Sequence, residues 1–142
     1  MTGLRSTPLV RWLRVVRSAL LVEAGLRTRP LDRVVSGLGI ALANGEADPE
    51  PRPAEAPVST HVRWAFDATD RVLGLLPGRS QCLRRALIAG HLLREHKPSL
   101  HIGSARRDGK LAFHAWLELD GQVAADPEAA LFRRLVRARP TP

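Results

Sequence analysis

The chain has 142 residues, a formal net charge of +8, 44% hydrophobic and 25% charged residues, and a single cysteine. That length holds one ordinary domain with one core, and the composition is that of a globular chain rather than a disordered or membrane-spanning one. One cysteine excludes an internal disulfide, and the absence of a Cys pair or a His-x-x-x-His spacing removes the usual zinc frameworks, so neither metal nor cofactor is expected.

Leu9, Trp12, Leu13, Val16 and Leu20 recur at helical spacing, which predicts a first amphipathic helix from Pro8 to about Arg27 with that stripe turned to the core. Arg5, Arg11, Arg14 and Arg17 interrupt the apolar runs here, leaving no signal-peptide core and no transmembrane segment, so a cytoplasmic location is expected. The basic residues are nearly all arginine and are spread along the chain. GC-rich coding explains that pattern better than nucleic-acid binding, since no basic strand carries interleaved aromatics. With aromatics at only 4%, Trp12, Trp64 and Trp116 are each expected to anchor packing.

A second helix is predicted from Leu31 to Ala43, carrying Val34, Val35, Leu38 and Leu42 and stopped at Asn44-Gly45. The acidic, proline-rich stretch that follows reads as a linker, dividing a helical region 1–43 from a domain 59–142 across 44–58. A third helix, Thr60 to Leu76, aligns Val62, Ala65, Phe66, Thr69, Val72 and Leu73, and Pro77-Gly78 stops it. A fourth runs from Gln81 to His96, with Ser80 as N-cap. The period then changes to alternation: strands at Leu100 to Ala105 and Leu111 to Leu119 flank Asp108-Gly109, a hairpin signal, and a third strand, Gln122 to Ala125, follows Asp120-Gly121. A closing helix is predicted from Glu128 to Ala138. Helices followed by an antiparallel meander make an α+β fold.

Cys82 falls in the first turn of the fourth helix, where unpaired N–H groups and the macrodipole favour a thiolate, and Arg84 and Arg85 add positive potential. A thiol nucleophile needs a base and a group to orient it. Alternation places His114 with Trp116 on one face of its strand. Asp126 meets His114 if the turn is a three-residue bulged loop, Leu119-Asp120-Gly121, whereas a two-residue loop sets Asp126 opposite Ala115 and away from the imidazole. Taken singly, each residue has an ordinary explanation: a small buried thiol, a core or surface histidine, and a strand-ending aspartate before Pro127.

The stretches SQCLRRALIAGHLLREH, LHIGSARRDG and FHAWLELDGQVAAD, between Ser80 and Pro127, together resemble the transglutaminase-like cysteine peptidases of bacterial lasso-peptide biosynthesis. The resemblance implies a papain-like arrangement in which Cys82 attacks a leader peptide bond, His114 shuttles the proton and Asp126 fixes the imidazole. It makes Gln81 a candidate second oxyanion donor beside the Cys82 N–H, and Trp116 a candidate substrate contact. Lys97-Pro98 departs from the family's glycine-containing turn, and Ser104 stands in place of a larger aliphatic residue. The implied partners are the precursor peptide, a separate leader-recognition protein and an ATP-dependent macrolactam synthetase, because residues 1–60 do not read as a winged recognition module. Two other functions remain open from the residues: acyl transfer through the same thiol, and a non-catalytic basic binding module.

Overall fold

The computed structural model describes residues 7–43, 59–76, 78, 81–126, 129 and 131–134. Over these, four α-helices accompany a five-stranded sheet, an α+β arrangement. Among the described residues no helix is long and apolar enough to cross a membrane.

Helix α1 spans Pro8–Thr28, with proline in its first turn. Its orientation differs from the expected one. Val15, Ser18, Ala19 and Val22 are buried, while Leu9, Leu13 and Leu20 are 66%, 56% and 65% exposed and Trp12 also lies at the surface. The helix is apolar on both sides, so its period does not choose a face. Contact with α3 and α4 makes the choice, and the small Ser18 and Ala19 suit close helix approach.

The second predicted helix is shorter than expected. Helix α2 covers Leu31–Gly37, Gly39 takes a left-handed φ of 76°, and Ala41–Leu42 form strand β1 instead of a last helical turn. Ala41 and Ala43 N–H groups donate to Pro98 and Leu100 carbonyls, which seats β1 parallel to β2 and buries Ile40. The Asn44-Gly45 stop and the whole of the 44–58 linker lie outside the described residues.

Helix α3 spans Thr60–Leu73 and buries the predicted stripe. Ser59 Oγ caps it by accepting from Val62 N–H at 3.3 Å. Buried Thr69 is satisfied by donating to the Ala65 carbonyl at 2.7 Å. Helix α4 spans Gln81–Leu92, and a 3-10 turn at Arg94–His96 follows. Lys97 then adopts φ 49°, the left-handed conformation that a glycine supplies at least cost. Pro77 and Ser80 lie outside the described residues. A Cβ on Gly90 would fall 2.6 Å from Ile40 Cδ1, so glycine lets α4 pack closely against Ile40.

Strands β2, Ser99–Arg107, and β3, Lys110–Leu119, join through Asp108-Gly109 with φ values of 51° and 75°, the two positive angles of a type I′ turn. Strand β4, Gln122–Val123, joins β3 through Asp120-Gly121 with φ 53° and 75°, pairing Leu119 with Gln122. This is the two-residue loop, not the bulged one: aspartate accepts the left-handed conformation, so Asp-Gly completes the turn without a third residue. In place of the expected closing α-helix, the described residues Ala129 and Leu131 lie in a 3-10 turn. Arg133–Arg134 form β5, antiparallel to β2 at Gly103 and Ser104, while Phe132 packs with Trp116 and Val123. An unpaired β2 edge takes up backbone that local propensity assigns to helix. The remainder of that predicted helix lies outside the described residues.

One buried cluster joins Val15, Val35 and Ile40 to Phe66, Leu87 and Leu117. His91, half-buried on α4, has its Nδ1 3.2 Å from the Leu38 carbonyl. Burial is the main cause that holds its pKa below 6.5, outweighing that hydrogen bond. The unfolded chain therefore takes up this proton first. Stability from this site is complete above about pH 6.5 and is lost on acidification toward the lowered folded value. Urea midpoints are expected to fall between pH 7.5 and about 5.5, with a shallower slope in His91→Gln.

Candidate active site

Cys82 is the second residue of α4, half-buried, with Gln81 exposed beside it at the helix start. Here the backbone N–H groups of the first turn lack intrahelical acceptors. Both residues line a cavity of about 500 Å³, together with Phe66 and Leu73 of α3 and with His114 and Asp126.

His114 and Asp126 are 12 residues apart and joined by a hydrogen bond, Nε2 to Oδ2, of 2.7 Å. Their side chains are only 11% and 9% exposed. A carboxylate can only accept, so Nε2–H is the donor and Nδ1 is the nitrogen left for proton exchange. Phe132 stacks against the imidazole at 4.9 Å and Trp116 at 6.2 Å, which restricts the ring plane.

The route by which Asp126 reaches His114 differs from the expected one. The Ala124 N–H still donates to the Leu117 carbonyl at 3.0 Å, so the two-residue register persists past β4. Continued in that register, Asp126 would sit opposite Ala115, on the other face. Instead Ala125 takes φ 47°, a conformation costly for an L-residue with a Cβ, and the chain turns so that Asp126 meets the imidazole. A kink performs what a bulge was expected to do.

Arg84 and Arg85 are not free cations beside the thiol. Arg84 pairs with Glu23 of α1, and Arg85 Nε donates to Asp70 Oδ1 at 2.7 Å. Each therefore acts at Cys82 as half of an ion pair, with a much reduced field. Arg85 also donates from Nη2 to the Ala125 carbonyl at 3.2 Å and lies 4.6 Å over the Phe66 ring.

Trp116 is 1% exposed, stacks behind His114 and lines the same cavity. Its Nε1–H donates to Glu118 Oε1 at 3.1 Å, and the other carboxylate oxygen lies 3.3 Å from His101 Nε2. Ser99 Oγ is 2.9 Å from that same nitrogen, and Trp116 stacks on His101 at 5.9 Å. This buried polar network was not foreseen, although the alternation that aligned His114, Trp116 and Glu118 was visible. Asp70, Ala125 and Phe132 were also missed. They carry no motif, and only pairing across distant elements brings them to the site.

The family model described as Transglutaminase-like superfamily matches residues 25–137. The match runs from the end of α1 past β5 and includes Cys82, His114 and Asp126. No curated protein and no solved structure matches the chain.

Proposed function

Because the chain belongs to the transglutaminase-like superfamily, we propose that it is a cysteine peptidase that removes the leader from a lasso-peptide precursor, with Cys82, His114 and Asp126 as its triad. The observation that carries this reading is the His114–Asp126 hydrogen bond at a cavity shared with the chain's one cysteine.

Asp126 holds the proton on Nε2, so Nδ1 takes the thiol proton of Cys82 and the thiolate attacks the scissile carbonyl. The developing oxyanion accepts from the Cys82 N–H at the tip of α4 and from the Gln81 side chain, both at the cavity wall. The imidazolium returns its proton to the departing amine, giving an acyl-enzyme and a free new N-terminus. Water, deprotonated by the same Nδ1, then releases the acid. No step calls for a metal. The partners of this reading are the precursor peptide, a separate leader-recognition protein that presents it, and the ATP-dependent macrolactam synthetase that consumes the freed core in the cytoplasm.

The test is incubation of the chain with a precursor peptide and its leader-recognition protein, followed by mass spectrometry. The expected products are leader and core, their combined mass exceeding that of the precursor by one water, with no product when the thiol has been alkylated. Loss of ammonia with cross-linking would instead identify acyl transfer, and processing that survives alkylation would return the chain to a binding role.

A further inference from the structure

We propose that Arg85 is a positioning residue that fixes Asp126 by clamping the strained backbone at Ala125; this rests on the triad reading above. Three observations converge on the guanidinium. Nε and Nη2 face the two carboxylate oxygens of Asp70 at 2.7 and 3.4 Å, which anchors the head to α3. The same Nη2 donates to the Ala125 carbonyl at 3.2 Å. The Phe66 ring lies beneath the guanidinium carbon at 4.6 Å and blocks its retreat. Ala125 is the residue whose left-handed φ of 47° turns Asp126 onto His114.

An alanine released from this clamp relaxes toward extended backbone, which carries Asp126 to the far face opposite Ala115. Strain held by surrounding structure next to a reacting group is a recognised form of preorganisation. The planar fork matters here, because one head must bond a carboxylate and a carbonyl in fixed directions, and an ammonium cannot hold both. Arg85 thus acts two residues away from the imidazole, through the peptide carbonyl, and touches no reacting atom.

Iodoacetamide alkylation of Cys82, followed against pH, reads the clamp without any peptide substrate. In the parent chain the oriented imidazole takes the thiol proton, so alkylation at about pH 7 is expected to be faster than in Asp126→Asn. Arg85→Ala is expected to slow alkylation at about pH 7 on the order of tenfold, in the same direction as Asp126→Asn. Arg85→Lys is expected to resemble Arg85→Ala. In an Ala125→Gly background, where left-handed backbone carries little penalty, the loss caused by Arg85→Ala should shrink to roughly threefold or less. Should lysine restore the parental profile, charge near the thiol is the cause and the clamp is overturned. An equal loss in both backgrounds, or a fall in melting temperature with an unchanged pH profile, overturns it as well. A parental chain that alkylates as an ordinary thiol, with no effect of Asp126→Asn, defeats the triad reading itself.

Discussion

Cys82→Ala is expected to lower leader cleavage by roughly 10³-fold or more while leaving stability within about 1 kcal/mol of the parent chain. The first half follows from covalent catalysis: no other thiol exists in the chain, so removal of this sulfur leaves only binding and oxyanion donors. The second follows from place. Cys82 sits half-buried at a cavity wall, so deletion of one sulfur opens no sealed void. Groups that act as a unit are non-additive. The double variant Cys82→Ala, His114→Ala should therefore be no slower than Cys82→Ala alone, measured as kcat/KM on precursor with the leader-recognition protein present. A further large drop in the double variant would mean that His114 serves binding and not proton transfer.

Trp116→Ala is expected to cost about 3–5 kcal/mol of stability, the range for emptying a buried large aromatic site. The ring is 1% exposed and stacks between His101 and His114. Its loss also withdraws the Nε1–H donor from Glu118, a carboxylate 3% exposed, and reducing the support of a buried charge adds to the penalty. Trp116→Phe separates the two contributions by keeping a stacked ring without the donor. Its expected cost is about 1–3 kcal/mol. Urea denaturation of the three proteins gives the comparison, and equal costs for Phe and Ala would assign the whole effect to the lost hydrogen bond.

The helical stripe of α3, the type I′ turn at Asp108-Gly109, and the placement of Cys82 in a helix's first turn were legible from short windows of sequence. Each depends on side-chain period or turn chemistry over a few residues. The choice between two readings of Asp120-Gly121 was also local, yet the bulged reading is not the one adopted, because Asp-Gly satisfies a two-residue turn as well as a three-residue one.

Other features have no local signature. Helix α1 presents apolar side chains around its circumference, and only contact with α3 and α4 selects the face bearing Ser18 and Ala19. Ala41–Leu42 and Arg133–Arg134 become strands because β2 offers unpaired backbone groups along its outer edge, at Ser99 and Leu100 for the first and at Gly103 and Ser104 for the second. The sequence by itself determined which local elements hold Cys82 and His114. The tertiary structure alone decided how Asp126 reaches His114, since the bend at Ala125 depends on a guanidinium 40 residues earlier in the chain. Periodicity and turn propensity act within a few residues, whereas a strained backbone persists only where distant groups close around it.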